Sequence, residues 1–123
     1  MKFEGGRNIA MKVPPEQWEQ TVAFYREVLG MEEIEHEPTQ PPSVGFRFGA
    51  NNLWIDRVET VSHAELWLEV NADDLGPAAE HLESQGVTRR DEIEPLGEDF
   101  QGFWISNPAA IIHLVSKRPQ RDD

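Results

Sequence analysis

The sequence contains no cysteine, few basic residues and no long hydrophobic run. Without cysteine it has no disulfide framework, no thiolate metal site and no cysteine nucleophile. No apolar run reaches membrane-spanning length, and the N-terminus lacks a signal-peptide pattern, so we expect a cytoplasmic protein with no membrane partner. Eleven Lys and Arg stand against 23 Asp and Glu, which leaves a net charge of −12. Such a field repels phosphate, so nucleic acid is not expected as a partner, whereas cationic small molecules are attracted.

The length and the aromatic content indicate one folded domain. A chain of 123 residues fits a single domain and is long enough to bury a core. Apolar residues make up 38%, which is low, but four Trp, one Tyr and six Phe argue against a disordered chain. We therefore expect a single domain over residues 1–123.

The sequence repeats itself once. An alternating apolar trio, typical of one buried strand face, occurs in each half. The trio is Ile9, Met11 and Val13 in the first half and, 57 residues later, Leu66, Leu68 and Val70 in the second. At an offset of 59, Leu53-Trp54-Ile55 corresponds to Ile112-His113-Leu114. The repeat predicts two modules, over about residues 7–58 and 63–116, each with a strand, a helix and further strands.

Each module contains one predicted amphipathic helix that is followed by a glycine, Gly30 or Gly86. Helical spacing places Trp18, Val22, Tyr25 and Leu29 on the inner face of the first helix. The second helix is expected to be capped by Asp73 or Asp74.

Strand alternation defines a second face on each module, opposite the helix, which we call the open face. Three of the four tryptophans are predicted to lie there, namely Trp54, Trp67 and Trp104. The other candidate binding residues of this face are Asn8, Asp56, Glu65, Glu69 and His113. Tryptophan offers a flat, rigid surface for stacking on planar or cationic ligands, whereas the alternative is that these rings fill the interior or a subunit contact. His36 lies in an acidic loop and is expected to be solvated.

Two stretches of the sequence resemble a known superfamily. Val13-Pro14-Pro15 leads to Ala23-Phe24-Tyr25-Arg26-Glu27-Val28-Leu29-Gly30, and in the second half Leu68-Glu69-Val70 precedes Asp73-Asp74-Leu75. Over about residues 7–116 the chain resembles the vicinal oxygen chelate superfamily, which includes glyoxalase I, extradiol dioxygenases and bleomycin-resistance proteins. The resemblance implies an α+β fold in which tandem βαβββ modules form a curled, cup-shaped mixed β-sheet with helices on the outside. It also implies a homodimer.

Enzymes of this superfamily bind a metal ion at four strand positions. The resemblance places these positions at Asn8, Trp54, Glu65 and His113. Asparagine is a weak ligand for a catalytic divalent ion and tryptophan is none, so we expect no metal and no other cofactor, and we assign no catalytic residue. The final strand follows Pro108-Ala109-Ala110, where the family has a glycine, and this predicts a shortened turn.

In character the chain is most similar to the bleomycin-resistance branch, which is metal-free and holds a cationic drug between aromatic residues. The resemblance implies binding of a small aromatic or cationic molecule in an acidic, tryptophan-lined groove. The alternative is a metal-dependent lyase, isomerase or dioxygenase that uses Glu65 and His113. A metal-free enzyme would use Glu65 as general base and His113 as acid. A third hypothesis is a non-catalytic assembly role, with the tryptophans buried between subunits.

Overall fold

The computed structural model describes residues 2–118. The chain divides into two compact units. The first unit is Arg7–Trp67, and the second consists of the N-terminal residues up to Gly6 together with those from Leu68 onward. Neither helix within residues 2–118 has the length and apolar character needed to cross a membrane.

The two units have the same topology. The strands are β1 (Phe3–Val13), β2 (Glu33–Ile34), β3 (Ser43–Phe48), β4 (Asn51–Arg57), β5 (Glu65–Ala72), β6 (Thr88–Arg89), β7 (Gly102–Ser106) and β8 (Ile112–Lys117). The helices are α1 (Pro15–Ala23), which continues as a π-helical turn over Phe24–Val28, and α2 (Leu75–Ser84). The strand orders are β2-β3-β4-β1 and β6-β7-β8-β5. The pairs β1–β4 and β5–β8 are parallel, whereas β2–β3, β3–β4, β6–β7 and β7–β8 are antiparallel. The α+β class and the tandem βαβββ modules with a mixed β-sheet are confirmed.

The core of the first unit lies between α1 and one face of the sheet. Its buried residues are Val13, Val22, Phe46, Leu53 and Ile55. Ile9 and Met11 pack against this cluster, as strand alternation predicts. The indole Nε1 of Trp18 donates a hydrogen bond to the carbonyl oxygen of Ile55 at 3.0 Å, which connects α1 to the sheet.

The inner face of the first helix is as predicted except at Leu29, which is 51% exposed. The cause is the π-helical turn, in which the N–H of Leu29 donates to the carbonyl oxygen of Phe24, five residues earlier. This wider turn changes the phase of the helix. Met31 therefore packs against the core in place of Leu29. Gly30, with φ of 64°, occupies the left-handed position predicted for the end of the helix.

The core of the second unit lies between α2 and its sheet. Its buried residues are Ala72, Ala78, Phe103 and Val115. Of the two predicted caps, Asp74 is the one observed, because its Oδ1 accepts a hydrogen bond from the N–H of Gly76 at 3.3 Å.

The apolar trio predicted for the second module is buried only in part. Leu66 is 47% exposed and Leu68 is 38% exposed, which corrects the expectation of one buried face. The phase of the strand is nevertheless correct, because Ala72, which shares that face, is fully buried in the cluster with α2. The first two leucines thus lie on the predicted face without being covered.

The turn before β8 is organised by hydrogen bonds of Asn107. The N–H of Asn107 donates to the carbonyl oxygen of Ile111 at 3.0 Å, and Asn107 Oδ1 accepts from the N–H groups of Ala109 and Ile111, each at 2.9 Å. Ala110 adopts a φ of 64°, in the left-handed region that glycine favours. An alanine is thus held in a glycine conformation by the hydrogen bonds of Asn107.

Replacing Ala110 with glycine is expected to raise the free energy of unfolding by about 0.5–1 kcal/mol, because glycine adopts this φ without steric cost. Thermal and urea unfolding measure the change. Ala109→Gly is the matched control, since no left-handed φ is found at Ala109. There the glycine only makes the unfolded chain more flexible, so the substitution is expected to destabilise the protein slightly. Equal effects of the two substitutions would contradict the assignment of strain to Ala110.

Candidate functional site

The open face of the first unit consists of three cross-strand rows contributed by β3, β4 and β1. The rows are Ser43–Asp56–Lys12, Gly45–Trp54–Ala10 and Arg47–Asn52–Asn8. This register brings the predicted site residues Asn8, Trp54 and Asp56 to one face. Their role in ligand binding stays a prediction.

Asn8 is the acceptor at the centre of a hydrogen-bonded row. Its Oδ1 accepts from Trp54 Nε1 at 2.9 Å and from Asn52 Nδ2 at 3.1 Å. Arg47 Nη1 in turn donates to Asn52 Oδ1 at 2.9 Å. A carbonyl oxygen has two lone-pair directions, and both are used here by protein donors.

The next row contains a buried ion pair that the sequence did not reveal. Lys12 is 3% exposed, and its Nζ donates to Asp56 Oδ2 at 2.8 Å. The hydroxyl of Ser43 donates to Asp56 Oδ1. Lys12 Nζ also lies 4.3 Å from the ring centroid of Trp67, a cation–π distance. Asp56 is therefore engaged by two donors of its own unit.

The six-membered ring of Trp54 packs closely on its cross-strand neighbour, Gly45. A Cβ at Gly45 would approach Trp54 Cζ3 to 2.5 Å, so only glycine leaves room for the ring. The rings of His36 and Trp54 form a T-shaped contact, with centroids 5.1 Å apart and planes at 87°. Trp54 remains partly exposed. His36 is exposed, as predicted, but its contact with Trp54 was not foreseen.

An acidic surface cavity lies at β2 and the residues that follow it. Its volume is about 670 Å³, and its lining is Glu33, Ile34, Glu35, His36 and Glu37. Arg26 Nε donates to Glu33 Oε1 at 2.8 Å, and this hydrogen bond raises the pKa of Arg26 above its usual value. His36 therefore belongs both to the cavity and to the surroundings of Trp54.

Glu65 and Trp67 form a pair at the start of β5. Trp67 Nε1 donates to Glu65 Oε2 at 3.2 Å, and the indole is buried. The ring of Trp67 therefore makes its cation–π contact with Lys12 of the protein itself.

Two predicted site residues of the second unit lie on its open face. Trp104 is buried, and its Nε1 donates to the carbonyl oxygen of Glu94 at 2.9 Å. Its backbone N–H donates to Asp91 Oδ1 at 3.1 Å. Glu69 packs on Gly6, where a Cβ would approach its side chain to 2.3 Å. Both side chains therefore contact other residues of their own unit.

The face predicted for His113 is wrong. In the register of β8, His113 pairs with Leu68 and Ile105, while Val115 pairs with Val70 and Phe103. Because Val115 is buried against α2, the alternation places His113 on the helix side. Its Nδ1 lies 3.1 Å from the carbonyl oxygen of Ile111.

The error has its origin in the offset of the repeat. Val13 and Ala72 are the last buried strand residues before the helices, so the first strands correspond at an offset of 59. Two residues earlier in each strand, Met11 pairs with Ile55 and Val70 pairs with Val115, so the last strands correspond at an offset of 60. A one-residue change moves a side chain to the other face of a strand. Accordingly, Asn8 corresponds to Trp67 and Trp54 corresponds to Leu114.

Asn8 and Trp54, two of the four positions at which the superfamily resemblance places a metal ligand, do not fit a divalent metal. The lone pairs of Asn8 Oδ1 are engaged by two N–H donors, and indole has no lone pair in its ring plane to offer. Of the other two positions, Glu65 accepts the indole N–H of Trp67, and His113 lies on the helix side of β8. Among residues 2–118, no three His, Asp or Glu side chains are grouped in a way that would hold a metal ion.

Sequence reasoning missed the residues that hold the candidate site together. These are Lys12, Gly45, Arg47 and Asn52. Alternation places Lys12 on the open face, but only the register of β1 on β4 shows that it meets Asp56. For Gly45, the glycine within a strand was the available signal, since such a residue commonly marks a close approach.

Comparison with known proteins agrees with this fold. The model of the Glyoxalase-like domain family matches residues 10–105. A hypothetical protein from Bacillus halodurans C-125 is similar in structure, with a TM-score of 0.68, 10% identity and coverage of 100% of this chain and 99% of that one.

Two further solved structures are similar in fold. A glyoxalase/bleomycin resistance protein/dioxygenase superfamily member from Vibrio splendidus 12B01 has a TM-score of 0.59 at 11% identity, covering 89% of this chain and 97% of that one. The Mn(II)-bound glyoxalase from Novosphingobium aromaticivorans has a TM-score of 0.60 at 17% identity, covering 94% of this chain but 41% of that one. A search of curated proteins found no match. The chain belongs to the glyoxalase-like domain family of the vicinal oxygen chelate superfamily.

Proposed function

We propose that this protein binds a small aromatic or cationic molecule on Trp54, without a metal ion. The observation that carries the proposal is the arrangement of Trp54 itself: a partly exposed ring, packed closely on Gly45 and hydrogen bonded to Asn8. Such a ring offers a rigid stacking surface whose conformational entropy is already reduced before the ligand arrives.

The acidic cavity beside His36 favours a positively charged ligand. His36 connects the ring to the cavity whose lining includes Glu33, Glu35 and Glu37. A cation over an indole is attracted by the ring quadrupole, and nearby carboxylates add a longer-range attraction. The net charge of −12 acts in the same direction.

The binding function is tested by calorimetric titration with two flat probes of the same size, the cation 1-methylquinolinium and the neutral 1-methylnaphthalene. The cation is expected to bind more tightly. Trp54→Leu is expected to weaken its binding about tenfold, which corresponds to the loss of one cation–π contact. Phe48→Leu is the matched control, because Phe48 is an exposed aromatic residue of the neighbouring strand β3 and does not lie on the open face.

Two further measurements separate the contribution of the carboxylates from that of a metal ion. Glu35→Gln with Glu37→Gln is expected to weaken the cation about threefold and leave the neutral probe unchanged. Chelator in the buffer is expected to leave both affinities unchanged. Binding of neither probe at millimolar concentration would refute the proposal.

The enzymatic alternative requires Glu65 and His113 to act together. It is disfavoured because His113 lies on the helix side of its strand and Glu65 accepts the indole N–H of Trp67. Elemental analysis of protein purified without chelators tests its metal-dependent form: a stoichiometric divalent metal that is lost in Glu65→Gln would restore that alternative. The homodimer implied by the superfamily resemblance also stays a proposal, which sedimentation velocity measures.

A further inference from the structure

Asn8 occupies one of the strand positions at which the superfamily resemblance places a metal ligand, and here it serves another purpose. We infer that Asn8 is a positioning residue that, together with Gly45, fixes the orientation of the Trp54 ring for ligand stacking. This inference rests on the proposed function for its last step. Asn8, Gly45 and Trp54 all lie within the first unit.

The indole is constrained at both of its rings. Its Nε1, on the five-membered ring, donates to Asn8 Oδ1 at 2.9 Å. Its six-membered ring lies over Gly45, where a Cβ would stand 2.5 Å from Cζ3 and 2.6 Å from Cε3. Two constraints at opposite ends of a planar group fix both side-chain torsions of Trp54, which remains partly exposed.

Asn8 is itself held in the orientation that this role requires. Its Oδ1 receives a second donor, Asn52 Nδ2, at 3.1 Å, and Asn52 Oδ1 accepts from Arg47 at 2.9 Å. If the Asn8 amide were flipped, its NH₂ group would face two donors, which is unfavourable. The row from Arg47 to Trp54 therefore specifies a single arrangement.

The orientation of Trp54 is tested with the N–H resonances of the four indoles in ¹⁵N-labelled protein, with the Trp54 signal assigned by its loss in Trp54→Phe. Asn8→Leu removes the acceptor, and Asn8→Ala removes it without adding bulk. Both are expected to increase solvent exchange of the Trp54 N–H about tenfold, as for loss of one hydrogen bond. Trp18, whose N–H is bonded to the carbonyl of Ile55, is the internal control. Asn8→Asp keeps an acceptor for both donors and is expected to retain the protection.

Binding of 1-methylquinolinium gives the second readout. Asn8→Ala is expected to weaken it about tenfold, since the indole must then be ordered by the ligand, and Asn8→Asp is expected to restore it. Gly45→Ala is expected to shift the Trp54 resonance and weaken binding in the same way.

An unchanged Trp54 exchange rate in Asn8→Ala would overturn the positioning role whatever the affinities. A displaced indole with unchanged affinity would overturn its relevance to binding. If the indole is displaced but the unsubstituted protein binds neither probe, the proposed function fails and the positioning of Trp54 stands.

Discussion

Replacing Lys12 with methionine is expected to lower the free energy of unfolding by about 3–5 kcal/mol, because it leaves the carboxylate of Asp56 buried without its cation. Lys12 is 3% exposed and lies 2.8 Å from Asp56, with Trp67 on its other side. Methionine keeps the length and the apolar stem of the side chain, so packing changes little. Urea unfolding at neutral pH measures the loss.

Two controls separate the buried charge from packing. The double variant Lys12→Met, Asp56→Leu removes both charges and is expected to recover most of the loss, because an apolar pair of similar volume is often as stable as a buried ion pair. The second unit offers a neutral counterpart, in which Asn71 Nδ2 donates to Ser116 Oγ at 2.8 Å. Asn71→Leu is expected to cost only about 1 kcal/mol. A loss below 1 kcal/mol for Lys12→Met would mean that water compensates Asp56.

Replacing Phe46 with alanine is expected to cost about 3–5 kcal/mol, since the ring leaves a cavity in the core of the first unit. Phe46 is 0% exposed, and its ring centroid lies 5.8 Å from that of Tyr25. The free energy of unfolding from thermal or urea denaturation measures the effect.

Phe48 provides the control on the same strand. It points to the same side of β3 as Phe46 but is 45% exposed. Phe48→Ala is therefore expected to cost about 1 kcal/mol or less, in keeping with surface substitutions. Similar losses at the two positions would contradict the placement of the core between α1 and the helix-side face of the sheet.

The parts of the fold that the sequence predicted are those with a local physical cause. Alternation placed Ile9, Met11 and Val13 in the first core, and Gly30 ended the helical segment in the left-handed conformation. The prediction failed at Leu29, where the helix widens into a π-helical turn. That turn depends on how the segment packs, so the helical period alone did not reveal it.

The sequence predicted which residues belong to the candidate site better than it predicted the contacts between them. Alternation placed Asn8, Trp54 and Asp56 on one face, and the register agrees. For His113 the same reasoning failed, because the offset of the repeat was wrong by one residue in the last strand. An error of one residue reverses the face of a strand, whereas a similar error in a helix only rotates a side chain by part of a turn.

The sequence by itself determined the superfamily, the tandem modules and the polar and aromatic character of the open face, because these follow from local periodicity and residue type. Only the tertiary structure decided that Asn8 accepts from Trp54, that Lys12 pairs with Asp56 and that Gly45 lies under the indole. The partners in the first two contacts are 46 and 44 residues apart in sequence. Their meeting depends on the register between strands, which no local pattern specifies.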